Sequence, residues 1–443
     1  MNACVRSCEV RSVLALGFGV TGQAVASYCH RHDLDVFVSE SRALSQEEQR
    51  WLRERGIPFE HGKNTDRGLH SADLVVLSPG VAANHPVIRE AVSRGIDVSS
   101  ELEFAESVAA KRPIIAVTGT NGKGSTVTLI EAILAVEGRR VCVCGNIGTP
   151  YIAMVDTLAE VDVVVIEVSS FQLEQCTTFH PNIGVLTNLS PDHVDRHGSM
   201  EAYRAAKARM FQGQTTDDVA VLPSAWRDRF REGDARRVLY DGEDAHLDAA
   251  FRSWSEHERM NLLAAWAASS CLVPELSRSD LDPSDLHAAL AEPFRLEAIG
   301  TVSGVRVIND SKSTNAASAV AALRAVREPA VLLLGGRSKG AGYEALLHQV
   351  SGSSLRAVVL YGEAAGEFDV LLRPVGIPVV RVQTVEQAVS AGLRHVRAGD
   401  ALLFSPACSS FDQFANYAER GREFNRLIAL QDGFSPPSPL LIP

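Results

Sequence analysis

The chain has 443 residues, of which 46% are hydrophobic and 22% are charged, and it carries a formal net charge of −11. This length and balance predict a folded globular protein of two to four domains, with three as the first expectation. The negative charge argues against a broad basic face for nucleic acid. No run approaches the roughly 20 apolar residues that a membrane span needs, so we expect a cytoplasmic protein with neither nucleic acid nor membrane as a partner.

Eight cysteines are scattered along the chain, and none of them forms a C-x-x-C pair. This spacing predicts neither a structural zinc site nor a redox dithiol. We therefore expect reduced and mostly buried thiols, as in a cytosolic protein.

Short apolar runs alternate with helical patterns along the whole chain. Strands are predicted at residues 12–16, 36–38, 74–77, 114–118, 161–168, 183–186, 331–334, 357–361 and 401–404. The alternation predicts α/β domains with mainly parallel sheets, in which ligands bind beyond the carboxyl ends of the strands. We predict domains at residues 1–108, 109–298 and 299–443.

The first glycine loop follows the first predicted strand. Gly17, Gly19 and Gly22 form G-x-G-x-x-G, and Glu40 ends the second strand. This arrangement is typical of a dinucleotide site, where glycines admit a pyrophosphate and an acid holds a ribose. A lone pattern of this kind is weak, and it also fits a tight strand-to-helix turn. We therefore favour a nucleotide or nucleotide-sugar site and keep an oxidoreductase as an alternative, because no signature of hydride transfer follows.

The second glycine loop lies at residues 114–126, which predict a strand, a loop and a helix start. Backbone N–H groups and the helix N-terminus there would hold phosphates, with Lys123 as a point charge. The segment predicts an ATP site, with a glycine turn of no function as the structural alternative. Gly124 stands where G-x-x-x-x-G-K-[ST] has a hydroxyl, which moves the magnesium-binding hydroxyl to Ser125 or Thr126.

Acidic residues follow two further strands. Glu167 ends the strand beside the phosphate loop, where a hard oxygen ligand for magnesium is needed, although it can also cap the next helix. Residues 188–197 gather acids and histidines in one loop, which favours function, although Asp192 can also cap a turn. Zinc is disfavoured because a third and fourth soft ligand are lacking. Lys207, taken alone, is predicted to be a solvated surface lysine of a helix.

Several segments together resemble the Mur ligase superfamily. They are residues 119–123, 167–173, 192–196 and 205–207, and the likeness to its D-glutamate-adding branch lies in residues 309–315, 333–340, 405–414 and 416–421. The resemblance spans nearly the whole chain. It implies a Rossmann-like N-terminal domain for a UDP-sugar, a central P-loop ATPase-type domain with a parallel sheet, and a Rossmann-like C-terminal α/β domain for the incoming amino acid.

The resemblance also implies an activity. It implies a ligase that uses ATP and Mg²⁺, with two ions expected, to add D-glutamate to UDP-N-acetylmuramoyl-L-alanine in peptidoglycan synthesis. Both substrates are small molecules, and we expect a monomer. Because a carboxylate does not react with an amine at neutral pH, ATP must convert it into an acyl phosphate, with Lys123 and magnesium neutralising the charge.

Family analogy assigns the site residues as follows. The ATP set is Gly119, Thr120, Asn121, Gly122, Lys123, Gly124, Ser125, Thr126, Asn261, Arg295 and Asp310. The UDP-sugar set is Thr21, Ser41, Arg42, Ser78, Gly80, Asn146 and His193. The D-glutamate set is Lys312, Thr314, Lys339, Ser410, Phe411 and Tyr417. The catalytic set is Lys123, Glu167, His193 and Lys207, and the metal set is Ser125, Glu167, His193 and Lys207, the last carried as a carbamate.

Four positions depart from the family pattern. Gly124 replaces a hydroxyl, Phe294 a histidine, Glu258 an asparagine and Arg337 an acid. The magnesium and nucleotide contacts are therefore left open. The competing classes are an NAD-linked oxidoreductase, a regulatory NTPase that needs no amino acid, and a ligase for another amino acid or for folate. Folate chemistry would leave the first domain without a purpose.

Overall fold

The protein is described by a computed structural model, which places residues 3–5, 8–146, 148–241, 251, 254–291, 293–338 and 343–437. The chain divides into two compact units. The first unit is Met1–Leu189 with Glu201–Leu286, and the second is Ser190–Met200 with His287–Pro443. The domain boundaries after residues 108 and 298 stay a prediction.

The first sheet is formed by the N-terminal part of the first unit. A short antiparallel pair, β1 (Ala3–Val5) and β2 (Cys8–Val10), precedes β3 (Ser12–Leu16), β4 (Asp35–Glu40), β5 (Phe59–His61), β6 (Leu74–Leu77) and β7 (Asp97–Ser100). The helices are α1 (Val20–Arg31), α2 (Gln46–Glu54), α3 (Pro86–Ser93) and α4 (Glu101–Val108). The parallel order β5-β4-β3-β6-β7 changes direction between β3 and β6, which opens a crevice at their carboxyl ends.

The second sheet is entirely parallel. Its strands are β8 (Ile114–Thr118), β9 (Val141–Gly145), β10 (Val163–Glu167), β11 (Ile183–Leu186), β12 (Val219–Pro223) and β13 (Arg236–Tyr240), in the order β13-β12-β11-β8-β10-β9. The helices that follow in the chain are α5 (Lys123–Val136), α6 (Tyr151–Met154), α7 (Ser170–Glu174), α8 (Val194–His197), α9 (Met200–Gln212), α10 (Glu256–Leu272) and α11 (Pro283–Ala289). Strand β8 lies at the switch point, so the second glycine loop follows the strand where a ligand is expected.

The third sheet belongs to the second unit. Its strands are β14 (Glu297–Val302), β15 (Val305–Asn309), β16 (Ala330–Gly335), β17 (Leu355–Tyr361), β18 (Val379–Arg381), β19 (Ala401–Ala407) and β20 (Phe434–Ser435). The helices are α12 (Ala316–Ala325), α13 (Glu344–Ser351), α14 (Ala365–Leu372), α15 (Val385–Leu393) and α16 (Tyr417–Ala429). The order is β18-β17-β16-β19-β15-β14-β20, and among the described strands of this sheet only the pairs of β14 are antiparallel.

The predicted strands are all present, and those at Ser12–Leu16, Leu74–Leu77, Ile114–Thr118 and Ile183–Leu186 have the predicted bounds. The strand predicted at residues 161–168 is shorter, because it covers Val163–Glu167. The α/β class with mainly parallel sheets is therefore confirmed. Within the described residues, no helix is both long and apolar enough to cross a bilayer.

The cysteines agree with the expectation of buried thiols. Among those with described side chains, Cys29, Cys142, Cys144, Cys176 and Cys408 are buried and free, and the free thiol of Cys271 is partly exposed. Burial raises the pKa of Cys29 to about 12, and of Cys408 likewise to about 12, so these thiols stay protonated at neutral pH.

A buried carboxylate joins the regions of the first and second sheets within the first unit. Glu103, near the start of α4, is 7% exposed and accepts the N–H of Thr177 at 2.6 Å and the hydroxyl of Thr178 at 2.9 Å. Burial by itself raises the pKa of Glu103, but hydrogen bonds from the N–H groups of Thr178, Thr177 and Ser100 outweigh it, and the pKa lies below its ordinary value. The side chain is therefore an ionised anchor.

We expect Glu103→Ala to lower the free energy of unfolding by about 3 kcal/mol at pH 7, because it leaves buried donors unpaired. The folded pKa is depressed, so the contribution of Glu103 is full above the unfolded pKa of about 4.3 and is lost as pH falls through the folded pKa. Urea unfolding across this pH range checks both statements. The exposed Glu47→Ala is the control, and a Glu103→Ala variant as stable as the wild type would contradict the anchor.

Candidate active site

The second glycine loop connects β8 to α5 and contains two glycines with positive φ. Gly119 has φ of +150° and Gly122 has φ of +80°, which L side chains rarely adopt. A Cβ at Gly119 would overlap the hydroxyl of Thr187, and a Cβ at Gly122 would overlap the amide of Asn261. Both positions therefore need glycine for conformation and for space. The structure also brings Asn261 of α10 against the loop, as its place in the predicted ATP set requires.

The first turn of α5 carries the hydroxyls that the sequence suggested for magnesium. Ser125 is 5% exposed and Thr126 is 0% exposed. The Thr126 hydroxyl has no hydrogen-bond partner among the residues that the structure describes. The four N–H groups at the start of a helix have no acceptors within it, so this turn offers donors for a phosphate. The choice of Ser125 as the metal ligand stays a prediction.

Two ammonium groups meet at one backbone oxygen of this loop. The Nζ of Lys123 donates to the carbonyl oxygens of Gly119 and Thr120, both at 2.9 Å. The Nζ of Lys207 donates to the same Gly119 oxygen at 2.8 Å. The structure thus gathers two members of the predicted catalytic set on one side of the loop.

The prediction that Lys207 is a solvated surface lysine, made from its helix alone, is wrong. Lys207 is 1% exposed, and its Nζ lies 4.7 Å from the centre of the Tyr203 ring. Tyr203, Met210 and Phe211 are also buried, and they lie four residues before, three after and four after Lys207. These spacings place Lys207 on the packed stripe of α9.

Residues 187 and 188, after β11, hold the glycine loop. Thr187 had no predicted role, and Asn188 was predicted only as the first residue of the functional loop 188–197. The Asn188 side chain accepts the Asn121 N–H at 2.9 Å and donates to the Asn121 oxygen at 2.9 Å. The Asn188 carbonyl accepts the Thr120 N–H at 3.0 Å. The Thr187 hydroxyl donates to the Asn121 oxygen at 2.6 Å. These contacts could have been predicted only from the pairing of β8 with β11. No local pattern in the sequence reports that pairing.

Glu167 is fixed at the carboxyl end of β10, next to β8. It is 6% exposed, and its Oε1 accepts the Asn146 side-chain N–H at 2.6 Å. The Asn146 backbone N–H donates to the Glu167 carbonyl at 2.8 Å. The alternative that Glu167 caps the next helix is excluded, because Ser169 caps α7. A carboxylate in this place fits a hard cation bound beside the phosphate loop.

The Glu40 carboxylate accepts hydrogen bonds from protein groups in and beside the first glycine loop. It accepts the Phe18 N–H at 2.6 Å, the Arg42 N–H at 3.0 Å and the Ser41 hydroxyl at 3.2 Å. Three donors from the protein therefore occupy the acid that would bind the ribose of a dinucleotide. This arrangement argues against the oxidoreductase alternative.

Part of the predicted UDP-sugar set lies around the same crevice. The guanidinium of Arg42 donates to the Phe18 carbonyl at 3.1 Å and to Glu48 at 2.9 Å. The Ser78 hydroxyl donates to the Gly17 carbonyl at 3.3 Å. Ser78 and Arg42 thus flank the loop at the switch point between β3 and β6. Thr21 and Gly80 lie in the first turn of α1 and after β6, at the same edge.

His193 belongs to the second unit, where the segment Ser190–Met200 is placed. It has φ of +53° and precedes α8. Asp192 is 7% exposed, and it accepts the His193 N–H at 2.9 Å and the side-chain N–H of Asn315 at 3.1 Å. Asp192 is therefore an anchor for this segment, with a larger role than capping a turn.

Asp310 holds a strained turn that contains Arg295. Asp310 accepts the Ser405 hydroxyl at 2.7 Å and the Leu296 N–H at 3.2 Å. Phe294 and Leu296 have φ of +65° and +45°. Burial raises the pKa of Asp310 to about 7, against the opposing hydrogen bonds and the charge of Arg295. The two members of the ATP set in this unit are thus neighbours.

The predicted D-glutamate set is partly gathered. The Nζ of Lys312 lies 5.8 Å from the centre of the Tyr417 ring. Ser410 is 2% exposed, whereas Phe411 is 62% exposed. Thr314 lies in the loop before α12. The prediction for Lys339 falls outside the described residues.

Arg420 clamps the loops that carry this set, and sequence analysis gave it no role. The side chain is 0% exposed and donates to the Ser311 hydroxyl at 3.1 Å, the Ser311 carbonyl at 2.8 Å and the Cys408 carbonyl at 3.0 Å. The loops after β15 and β19 are thereby joined. A signal was present, because Arg420 lies four residues before the buried Phe424 on α16.

Three departures from the family pattern have local structural explanations. Glu258 closes the capping box of α10 with Ser255. Arg337 pairs with Glu363 at 2.9 Å on the surface. Phe294 packs against Gly421, where any Cβ would overlap its ring. These residues therefore serve the fold around the site.

We expect Arg420→Lys to lower the free energy of unfolding by about 3 kcal/mol. A single ammonium group cannot reproduce the hydrogen bonds that the planar guanidinium group makes to both Ser311 and Cys408. Urea unfolding measures the change. Arg422→Lys is the matched control on the exposed side of α16, and we expect it to stay within about 0.5 kcal/mol of the wild type. Equal stabilities of the two variants would show that the clamp does not stabilise the unit.

Several solved structures have a similar fold. MurF from Thermotoga maritima in complex with ADP has a TM-score of 0.55 and 16% identity, covering 89% of this chain and 94% of that chain. MurC from the same organism has a TM-score of 0.53 and 19% identity, covering 94% and 98%. FolC from E. coli, in complex with DHPP and ADP, has a TM-score of 0.52 and 18% identity, covering 74% and 92%. At these identities the likeness shows the fold alone, and it is the three-domain fold of this ligase class.

Sequence similarity is more specific. The profile of the Mur ligase MurD-like N-terminal domain matches residues 11–100, that of the Mur ligase middle domain residues 117–269, and that of the Mur ligase glutamate ligase domain residues 294–408. The UDP-N-acetylmuramoylalanine–D-glutamate ligase of Pelotomaculum thermopropionicum is 36% identical, covering 94% of this chain and 97% of the relative. The enzyme of that name from Desulfotalea psychrophila is 35% identical, covering 94% and 96%. The chain belongs to the Mur ligase family.

Proposed function

We propose that the chain is an ATP-dependent ligase that adds D-glutamate to UDP-N-acetylmuramoyl-L-alanine in peptidoglycan synthesis. The observation that carries this proposal is the near full-length similarity to relatives of that name, at 36% and 35% identity. The match of the third domain to a glutamate ligase profile supports the choice of amino acid.

The first step activates the terminal carboxylate of the precursor. That carboxylate attacks the γ-phosphorus of ATP, an acyl phosphate forms and ADP leaves. The position of Lys123 supports a role in this step, because its ammonium lies 2.9 Å from two carbonyl oxygens of the loop and can turn to the phosphates as a point charge. The N–H groups at the start of α5 hold the phosphates in place.

The second step forms the amide. The amine of D-glutamate attacks the acyl carbon, and the tetrahedral intermediate expels phosphate and loses a proton from nitrogen. Lys312 and Tyr417 lie in the unit that would receive D-glutamate, with Thr314, Ser410, Phe411 and Lys339 as the other proposed contacts. An ammonium that pairs with a substrate carboxylate provides discrimination, because a wrong substrate leaves it unpaired.

A divalent cation fits the residues beside the phosphate loop. Glu167 provides a buried carboxylate at the edge of the sheet, and Ser125 provides a hydroxyl in the first turn of α5. Within the described residues, no three His, Cys, Asp or Glu side chains converge on one point, so further oxygen ligands would come from phosphate, from water or from a carbamate on Lys207. Mg²⁺, when bound, neutralises charge on the transferring phosphoryl group. His193 is the proposed partner residue of a second ion.

We also propose that Lys207 is carried as a carbamate. Its Nζ shares the Gly119 oxygen with Lys123 in a buried site, and burial and a second cation both oppose positive charge on an amine. An uncharged amine reacts with CO₂ and loses a proton, so that a cation becomes an anion with two oxygens. This change replaces repulsion with attraction next to Lys123 and supplies oxygen ligands for magnesium.

Phosphate release tests the proposed reaction. With ATP, magnesium and UDP-N-acetylmuramoyl-L-alanine, we expect D-glutamate to stimulate phosphate release at least tenfold over L-glutamate, meso-diaminopimelate and folyl substrates. Mass spectrometry should show a product longer by one glutamate residue. Stimulation by another of these substrates alone would assign a different ligase activity.

Labelled bicarbonate tests the carbamate. We expect ¹³C NMR of the wild-type protein in ¹³C-bicarbonate to show a carbamate resonance that Lys207→Met abolishes, because only a buried uncharged amine holds CO₂ stably. Lys63→Ala, at an exposed lysine, should keep the resonance. A signal that survives Lys207→Met would place the carbamate elsewhere, and no signal in any of the proteins would refute it.

A further inference from the structure

We propose that Asn188 is a positioning residue that selects which N–H groups of the phosphate loop face the nucleotide. The inference rests on the proposed role of this loop in ATP binding, and it adds a residue that the family resemblance did not assign. Its basis is the set of hydrogen bonds between the loop after β8 and the two residues after β11. Asn188 would act through the loop rather than by touching the reacting atoms.

The Asn188 side chain binds both backbone polar groups of one loop residue, Asn121. Its Oδ1 accepts the N–H of Asn121 and its Nδ2 donates to the carbonyl of the same residue, each at 2.9 Å. A third bond runs from the Thr120 N–H to the Asn188 backbone carbonyl at 3.0 Å. A planar amide that makes both bonds to one residue leaves it little rotational freedom.

These bonds divide the loop donors into two groups. The N–H groups of Thr120 and Asn121 point at Asn188, so they cannot point at a phosphate at the same time. The donors that remain include those from Gly122 onward, at the start of α5, where the helix offers no internal acceptors. Asn188 therefore directs the phosphate to the helix N-terminus and away from the first half of the loop.

Thr187 supports the same arrangement. Its hydroxyl donates to the Asn121 carbonyl at 2.6 Å, so that this oxygen has two donors from neighbouring residues. The Thr187 hydroxyl also fills the space that a Cβ at Gly119 would take. A partly buried carbonyl that already accepts hydrogen bonds from Thr187 and Asn188 has little tendency to turn toward the phosphates, where it would repel them.

The same two strands contain a matched control at their other ends. Asn182 precedes β11, and its Oδ1 accepts the N–H of Ile114 at the start of β8, at 2.9 Å. Both asparagines thus bridge the strand pair by side-chain to backbone hydrogen bonds. Asn182 lies at the amino edge of the sheet and Asn188 at the carboxyl edge. A purely structural role predicts similar effects of the two substitutions, whereas positioning predicts an effect of Asn188 alone.

The test compares Asn188→Ala with Asn182→Ala in the full-length protein. For Asn188→Ala we expect calorimetry with Mg²⁺ and ADP to give a dissociation constant at least tenfold above the wild type, and the KM for ATP to rise in parallel. The KM values for D-glutamate and the UDP precursor should stay within twofold. Asn182→Ala should bind ADP within twofold of the wild type, even if its melting temperature falls as much as that of Asn188→Ala. Hydrogen exchange at the Thr120 and Asn121 amides should speed up only in Asn188→Ala.

Three further variants keep the test decisive. Asn188→Leu has a similar size and loses both side-chain hydrogen bonds to Asn121 without adding a charge, so it should also weaken ADP binding, and it takes the place of Asn188→Ala if that variant unfolds. Thr187→Val should weaken ADP and Thr187→Ser should restore it. Wild-type affinity for ADP in both Asn188 variants, or equal losses in the Asn188 and Asn182 variants, would overturn the positioning role. Failure of the wild type to bind ADP would instead overturn the proposed function.

Discussion

The close approach of the loops after β8 and β11 is the constraint on which the nucleotide site depends. Leu186 and Thr118, the last residues of these strands, are direct partners in the parallel register, so residues 187 and 188 come to lie against the glycine loop. Gly119 has no side chain, and this absence makes room for Thr187. The shape of the phosphate loop is therefore imposed by the neighbouring strand as much as by its own glycines.

Two positively charged groups meet in the nucleotide site. Lys123 and Lys207 both donate to the Gly119 oxygen, so two ammonium groups lie close together in a region of low solvent exposure. Like charges at short range in such a region are costly. Phosphates of ATP or a carbamate on Lys207 would relieve this repulsion, which links the electrostatics of the resting protein to the ligands that the proposed reaction uses.

Each unit also depends on one buried ionic group that bonds mainly to backbone and hydroxyls. Glu103 accepts from Thr177 and Thr178 in the first unit, and Arg420 donates to Ser311 and Cys408 in the second. A buried charge of this kind costs little while all its hydrogen bonds are made and much when one partner is removed. Such groups hold loops in one conformation, which a site built on loops requires.

The sequence by itself determined the strands buried on both faces, because continuous apolar runs such as Ile114–Thr118 have no other stable place. It also determined the phosphate loop, whose glycines and lysine are local to one turn, and the family, whose motifs are short segments. Edge strands such as Phe59–His61 and Val379–Arg381 were missed, because they are short and half solvated and so lack that pattern.

Only the tertiary structure decided the roles of residues whose partners lie far along the chain. Asn188 is separated from Asn121 by 67 positions and Arg420 from Ser311 by 109, and no local pattern reports a hydrogen bond over such a distance. Lys207 was misplaced for the same reason, since the helix alone does not show which of its faces meets the sheet. Local conformation follows from neighbours in sequence, whereas the pairing of polar groups follows from how the strands are ordered in space.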